Sequence, residues 1–186
     1  MKVVATYSHN KGEDFIQRQF RRELAEVYDI IANVDASKTL TKVSEESTMR
    51  GKTLYSPDSL NKLFKIEFKR LGWQKVRINV KTQVVPLVGS QPIVHKGYRE
   101  MDFVKNKLGI EVQLGKYAFM VYNVSAKMTI FHNQNIIDAG IEIVPMKSMT
   151  ERMSSGVSSL EQFKTDLEMR GVADIDIPVL IIGITE

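Results

Sequence analysis

Two acidic residues, Asp102 and Glu111, have the spacing in this sequence that best fits metal-dependent chemistry. The residues around them predict two short strands joined by a two-residue turn, which puts Asp102 directly opposite Glu111. Gln113 then lies on the same face as Glu111, two residues farther along the strand. Phe103 and Ile110 face the opposite, apolar side. The hairpin therefore brings two carboxylates and an amide together at one surface of a predicted sheet.

Directly opposed carboxylates destabilise a sheet unless something offsets their repulsion. At a separation of about 4 Å and an effective dielectric constant of about 20, two like charges repel by about 4 kcal/mol. One carboxyl group can hold a proton, or a divalent cation such as Mg²⁺ can bind between the two groups. The alternative is a different strand register in which both acids are solvated surface residues. The spacing alone does not decide among these interpretations.

Helical patterns flank this hairpin on both sides in the sequence. Residues 15–31 carry apolar side chains at helical spacing, and residues 56–72 begin with a serine N-cap followed by proline. Residues 117–131 are apolar on nearly every face, which predicts a buried helix. Ser158 followed by Glu161 forms a capping-box pattern, which predicts the start of a last helix.

Strand patterns alternate with these helices along the chain. They are predicted at residues 3–7, 75–81, 98–104, 108–114, 136–144 and 178–184. The combination predicts an α/β or α+β fold with a mixed central sheet flanked by helices. The pattern shows no internal repeat and no linker, so residues 1–186 are predicted to form a single domain.

The composition excludes several classes of protein. The chain is 43% hydrophobic and 26% charged, as is typical of globular proteins and not of disordered or fibrous ones. It contains no cysteine, which excludes thiol nucleophiles, zinc fingers and iron–sulfur clusters. The sequence has neither an apolar run long enough to cross a membrane nor a signal-peptide pattern, so a cytoplasmic location is expected.

Positive charge is concentrated in one part of the sequence. Residues 1–100 hold 18 Lys and Arg against 11 Asp and Glu, whereas residues 101–186 hold 8 against 11. Seven of the basic residues lie between positions 62 and 81, and two of them, Lys75 and Arg77, project from the polar face of a predicted strand. An anionic partner such as nucleic acid fits this cluster, and an ordinary solvated surface is the alternative.

Several motifs spread along nearly the whole chain resemble the BglII/BstYI group of type II restriction endonucleases, with BstYI as the nearer member. The resemblance includes the pattern Asp…Glu-x-Gln at Asp102, Glu111 and Gln113, in which glutamine replaces the lysine of the general PD-(D/E)xK nuclease pattern. The further motifs are Leu54-Tyr55-Ser56-Pro57, Glu142-Ile143-Val144-Pro145-Met146-Lys147, Met153-Ser154-Ser155-Gly156 and Leu180-Ile181-Ile182-Gly183-Ile184.

The resemblance implies a restriction-endonuclease-like fold and Mg²⁺-dependent cleavage of double-stranded DNA by a homodimer. It implies that Asp102 and Glu111 bind the metal, with the Val112 carbonyl as a third ligand. Gln113 takes the position of the usual lysine. Because an amide does not ionise near neutral pH, Gln113 can orient the attacking water but cannot deprotonate it.

The resemblance also implies which residues contact DNA. Lys116 and Ser155 match positions that the group uses at the bases, and Ser154 lies beside Ser155 in the same loop. A palindromic site with a GATC core is implied. Since one hydroxyl can donate to N7 of either purine, Ser155 favours the degenerate site R/GATCY over strict AGATCT.

Two alternatives to this function remain open from the sequence. One is a DNA-binding protein of the same fold that has lost cleavage, against which the intact Asp102, Glu111 and Gln113 argue. The other is a metal-dependent repair nuclease that recognises DNA structure and not base sequence.

Overall fold

The computed structural model of the chain describes residues 1–47, 49–89 and 91–186. Within these ranges the main sheet has six strands in the order β1-β8-β7-β6-β5-β4, and a second sheet pairs β2 with β3. The strands are β1 Lys2–His9, β2 Leu40–Val43, β3 Thr53–Tyr55, β4 Gln74–Val84, β5 Ile93–Lys105, β6 Leu108–Val112, β7 Ala139–Pro145 and β8 Val179–Thr185. The helices are α1 Gly12–Gln19, α2 Arg21–Asn33, α3 Pro57–Arg70, α4 Tyr117–Tyr122, α5 Met128–Asn133, α6 Lys147–Thr150 and α7 Leu160–Arg170.

The main sheet is mixed, as the sequence predicted. Strands β6, β7 and β8 are parallel, whereas β1, β5 and β4 join them by antiparallel pairing. Two hydrophobic clusters cover its faces. One contains side chains of α1, α2 and α3, and the other contains side chains of α4, α5 and α7. The strands that carry Asp102 and Glu111 are therefore supported from both sides.

Helix α3 has the N-cap and the buried apolar stripe that the sequence predicts. Ser56 is the N-cap, and its hydroxyl accepts a hydrogen bond from the Ser59 backbone N–H at 3.3 Å. Leu60, Phe64 and Phe68 form the buried stripe. The Phe68 ring stacks on Phe103 of β5 with 4.2 Å between ring centroids. This contact ties α3 directly to the strand that carries Asp102.

The prediction of a single helix over residues 15–31 is wrong in one respect. The structure has two helices there, α1 and α2, because the backbone leaves the helical region at Phe20 (φ −132°, ψ 34°). The Phe20 side chain is nonetheless buried and packs near Phe15. Both short helices place apolar side chains in the core cluster on this face of the sheet.

The helix predicted over residues 117–131 is also interrupted. Helices α4 and α5 are joined by one turn of π-helix at Asn123–Lys127. Burial is incomplete, since Phe119 is 57% exposed. The expectation that this segment is buried on all sides is therefore corrected: one face packs on the sheet and α4 leaves an aromatic side chain at the surface.

The capping box predicted from Ser158 and Glu161 does not form. The N-cap of α7 is Ser159, one residue later. The Glu161 carboxylate instead accepts hydrogen bonds from the Lys147 backbone N–H at 3.0 and 3.2 Å, and the Ser158 hydroxyl donates to Gln162. Glu161 thus binds the start of α6 and does not cap the N-terminus of its own helix.

Strand boundaries differ from the predictions by a few residues, and β5 begins at Ile93 instead of near Tyr98. The small β2–β3 sheet was not predicted. In the described part of the chain, no helix is long and apolar enough to cross a membrane.

Candidate active site

The hairpin between β5 and β6 has the register that the sequence predicts. Lys105 pairs with Leu108, Val104 with Gly109, and Phe103 with Ile110. The two turn residues, Asn106 and Lys107, have φ of 47° and 67°, so both lie in the left-handed region that a two-residue hairpin turn of type I′ requires. Asparagine tolerates this conformation better than most residues. The turn therefore determines which residues face each other.

The fourth expected pair, Asp102 with Glu111, is not a ladder pair. A β-bulge interrupts β5: Gln74 pairs with Val104 and Val76 with Met101, so that Lys75 faces two residues of β5. Bulges re-aim side chains and are frequent beside active sites. The prediction that Asp102 pairs directly with Glu111 is thus wrong, because the β5–β6 ladder ends at the Phe103–Ile110 pair.

The side chains of the two acids nevertheless come together. The Asp102 backbone N–H donates to Glu111 Oε1 at 3.3 Å, and the Val112 backbone N–H donates to Asp102 Oδ2 at 3.5 Å. Each carboxylate is held by the backbone of the opposite strand. The expected juxtaposition of Asp102, Glu111 and Val112 is therefore present by a different geometry.

Burial changes the chemistry of Glu111. Its side chain is almost inaccessible, and burial raises the pKa of Glu111 to about 8, with the nearby Asp102 charge adding to the effect and Lys127 opposing it. A carboxyl group in this state carries a proton at neutral pH until a cation offsets the cost of burying its charge. The site is accordingly one that a divalent metal would stabilise.

A third acid, Glu142, was not among the predicted site residues. The parallel register places Glu142 of β7 beside Glu111 of β6. Glu142 is fully buried, and burial raises its pKa well above the ordinary value. Its Oε1 accepts from the Asn123 side chain at 3.0 Å, whereas Oε2 has no hydrogen-bond partner in the described part of the chain. The signal in the sequence was a single acid inside the apolar run 139–145.

A cleft of about 200 Å³ opens beside Asp102. Its lining includes Asn61 and Lys65 of α3, Lys75 of β4, and Val112. Two ammonium groups near a carboxylate that can hold a cation give this cleft the charge needed to bind an anionic phosphate. Lys65 belongs to the basic cluster that the sequence places between residues 62 and 81, whereas Asn61 was not singled out.

The residues present fit a magnesium-type site. Residues 1–47, 49–89 and 91–186 contain no group of three or more His, Asp or Glu side chains arranged around one metal position. Mg²⁺ does not need such a group, since it binds through one or two carboxylates and keeps several waters. Asp102, Glu111 and the Val112 carbonyl meet this requirement, and Gln113 is the first residue after the end of β6.

Lys116, one of the predicted base-reading residues, follows the end of β6 by four residues. Lys116 forms an isolated β-bridge with Val157, so the 154–157 loop adjoins the segment that leaves β6. Ser155 is exposed and its backbone N–H donates to Glu46 Oε2 at 2.8 Å. Tertiary structure thus brings Lys116 and the loop together, although 40 residues separate them.

The small β2–β3 sheet supports the same loop. Lys42 donates a hydrogen bond to the Ser154 hydroxyl and forms an ion pair with Glu46 at 3.8 Å. Glu46 in turn holds Ser155, as described above. These two supports were missed because they lie more than 100 residues away from the loop in the sequence.

Lys75 and Arg77 lie on the exposed face of β4, as predicted, but both bind Glu100 of the neighbouring strand. Arg77 donates to Glu100 Oε2 from Nε at 3.0 Å and from Nη2 at 2.7 Å, and it stacks over the Tyr98 ring at 4.1 Å. Lys75 donates to the other oxygen of Glu100. The net charge of this trio is +1 and not +2.

The fold of the chain, a mixed sheet flanked by helices, is similar to that of a solved structure. The structure of free BglII aligns with 100% of this chain and 80% of its own, with a TM-score of 0.63 and 17% sequence identity. At this identity the likeness shows the fold alone. No curated protein matches the chain.

The family follows from the sequence match. The model of the restriction endonuclease BglII/BglIII family matches residues 4–184, and the chain belongs to that family. It is therefore a type II restriction endonuclease, a hydrolase that acts on double-stranded DNA.

Proposed function

We propose that this endonuclease cleaves double-stranded DNA at a palindromic site with a GATC core, R/GATCY, by Mg²⁺-dependent hydrolysis of the phosphodiester bond. The observation that carries the proposal is the contact between Asp102 and Glu111 at the β5 bulge, beside a cleft lined by Lys65 and Lys75. The carboxylates suit a divalent cation, and the two lysines suit the phosphate that the cation would activate.

Asp102, Glu111 and the Val112 carbonyl hold the metal in this proposal. When bound, the metal supplies Lewis-acid stabilisation of the phosphate and lowers the pKa of a bound water. Gln113 could orient an attacking water through its amide but could not accept the proton, since an amide is not a base near neutral pH. Lys65 of α3 and Lys75 of β4 would provide positive charge for the phosphate from two walls of the cleft.

Recognition at the outer base pair is assigned to the 154–157 loop, with Lys116 at its edge. A and G share the N7 acceptor of the major groove and differ at position 6. The exposed Ser155 hydroxyl can donate to N7 of either base, which supports degenerate R over strict A. Strict AGATCT specificity is the alternative, and it would require an additional group that accepts from the adenine N6 amine.

A homodimer is part of the proposal, because a palindromic site presents two equivalent strands and each chain offers one site. Residues 1–186 act in it as one endonuclease domain. The exposed Phe119 of α4 supports an interface at this surface. Sedimentation velocity, alone and on a duplex, is expected to show two chains per particle, and a single chain in both conditions would contradict this part.

Digestion of a mapped plasmid tests the central proposal. With Mg²⁺ present, we expect discrete fragments whose sequenced ends all lie in R/GATCY sites, whereas EDTA abolishes cleavage. A smear would instead indicate a nuclease that recognises structure. Binding to these sites without any cleavage would support the alternative of a DNA-binding protein. Ends restricted to AGATCT would overturn the degenerate specificity while leaving the activity established.

A further inference from the structure

A lysine outside the Asp…Glu-x-Gln pattern contacts one of the two carboxylates of that pattern, Glu111. The Lys127 ammonium lies 2.8 Å from Glu111 Oε1, and the two side chains are only 13% and 4% exposed. Lys127 is the last residue of the π-helical turn between α4 and α5. Its position is therefore set by an unusual local backbone that tertiary packing maintains, and π-helical turns occur frequently at functional sites.

The same turn contacts the neighbouring carboxylate as well. Asn123, the first residue of the turn, donates to Glu142 Oε1 at 3.0 Å. One turn of helix thus provides an amide for Glu142 and a cation for Glu111, side by side over β6 and β7. The charge of this single ammonium group acts on both Glu111 and Glu142.

Stability alone does not account for a buried lysine here. Replacing a buried ion pair by apolar side chains of similar volume is often neutral or stabilising, because desolvation offsets most of the Coulomb attraction. Glu111 is needed for metal binding in the proposed function and cannot be exchanged for an apolar residue. Lys127 is its direct partner, so its role follows from what Glu111 must do.

We propose that Lys127 is a positioning residue for Glu111, which rests on the proposed metal-dependent cleavage. The Lys127 ammonium and the Asp102 backbone N–H both bind Glu111 Oε1. These contacts fix the orientation of the carboxylate and reserve its other oxygen, Oε2, for the divalent metal. Lys127 thereby supplies from a helix the cation that the Glu-x-Gln strand lacks.

Metal binding to the purified, DNA-free protein tests this role without relying on activity. Calorimetric titration with Ca²⁺ or Mn²⁺ is compared for the parent, Lys127→Met, Lys127→Arg and Lys164→Met. Lys164 is an exposed lysine of α7 paired with Glu168, so Lys164→Met is the matched control. We expect at least tenfold weaker metal binding for Lys127→Met, recovery to within threefold for Lys127→Arg, and no change for Lys164→Met.

A double variant separates positioning from charge balance and protects against misfolding of the single variant. Lys127→Met with Glu142→Gln removes the ammonium together with one neighbouring negative charge, while Glu111 remains. The proposal expects its metal binding to stay at least tenfold weak. Parent-like affinity in this variant would show that Lys127 only balances the charge of Glu142, and parent-like affinity in Lys127→Met would overturn the proposal directly.

The outcomes also distinguish this inference from the proposed function. If the parent binds metal and cleaves DNA but Lys127→Met binds metal equally well, the positioning role is wrong and the endonuclease mechanism stands. If the parent neither binds metal nor cleaves, the metal-dependent mechanism itself is wrong.

Discussion

The two halves of strand β5 place nearby charged side chains in opposite environments, one exposed to solvent and the other buried. Residues 93–100 form the outer half of a long hairpin with β4 and are mostly exposed, whereas residues 101–105 are enclosed between the helices and β6. Tyr98 in the outer half is 54% exposed, while Phe103 in the inner half is 8% exposed. The β-bulge lies at the boundary between the halves and redirects the chain into the site.

The acids in contact with each half show what this difference does. In the outer half, Lys75 and Arg77 lower the pKa of Glu100 through hydrogen bonds. Facing the inner half, burial raises the pKa of Glu111 to about 8 despite a lysine at 2.8 Å. Exposed ion pairs contribute about 0–1 kcal/mol, whereas breaking a buried pair costs about 3–5 kcal/mol. Substitutions are therefore expected to have large effects in the inner half and small ones in the outer half.

The largest expected effect is loss of cleavage on removal of either inner carboxylate. Asp102→Asn and Glu111→Ala should each reduce the cleavage rate to below about 1% of the parent rate, because each removes a proposed metal ligand. Specific DNA binding without metal should survive, since other residues carry it. Cleavage assays and gel-shift titrations measure the two properties separately.

Asp138→Asn is the control for this test, because Asp138 is a half-exposed acid paired with Lys107 outside the site. It should retain parent activity. Cleavage by either inner variant at more than a few per cent of the parent rate would show that Asp102 and Glu111 do not hold the metal.

The second expectation concerns pH and the stability of the metal-free protein. Because burial raises the pKa of Glu111 from 4.5 to about 8, the folded state binds this proton more tightly than the unfolded chain. Stability is fully present below about pH 4.5 and falls as pH rises through 8. Glu111→Gln lacks this titrating group. Between pH 5 and pH 9, its free energy of unfolding should therefore rise by about 2 kcal/mol or more relative to that of the parent. Urea denaturation at both pH values measures the difference.

Glu151→Gln, at an exposed position, should show the same pH dependence as the parent. If the stability of Glu111→Gln depended on pH in the same way as that of the parent, Glu111 would be ionised at neutral pH without a metal. The contrast between the buried and exposed acids would then disappear.

A smaller effect is expected at the recognition loop, which is exposed like the outer half of β5. Ser155→Asn introduces an amide that donates to N7 and accepts from N6 of adenine, so preference should shift toward AGATCT by roughly tenfold or more. Cleavage rates on AGATCT, GGATCC and AGATCC duplexes measure the shift.

Ser148→Asn places the same substitution on the exposed face of α6 and should leave the preference unchanged. Rejection of GGATCC by the parent, or an unchanged preference in Ser155→Asn, would exclude Ser155 as the residue that reads this base pair.

The smallest effect is expected in the outer half itself. Lys75→Gln with Arg77→Gln should weaken specific and non-specific DNA binding about equally and lower the slope of log affinity against log salt by about 2. Glu100→Gln should do the opposite and strengthen binding, because it frees both cations from their shared partner. Fluorescence anisotropy at several salt concentrations gives the slopes. A change in site preference with an unchanged slope would contradict phosphate binding by this surface.

The sequence by itself determined the features that depend on neighbouring residues. The register of the β5–β6 hairpin was predictable because strand alternation and a two-residue turn decide which side chains face each other. The start of α3 was predictable for a similar reason, since Ser56 and Pro57 act on the backbone beside them. Asp102, Glu111 and Gln113 were found in this way.

Only the tertiary structure decided which distant groups complete the site. Lys127 and Glu142 reach Glu111 through helix packing and a parallel strand pairing, and neither relation leaves a short-range pattern in the sequence. Glu161 formed the expected local motif in the sequence, yet the Lys147 backbone bound it instead. The bulge that aims Asp102 likewise depends on how β4 pairs with β5. Local geometry thus predicted the proposed metal ligands, whereas long-range packing determined which residues surround them.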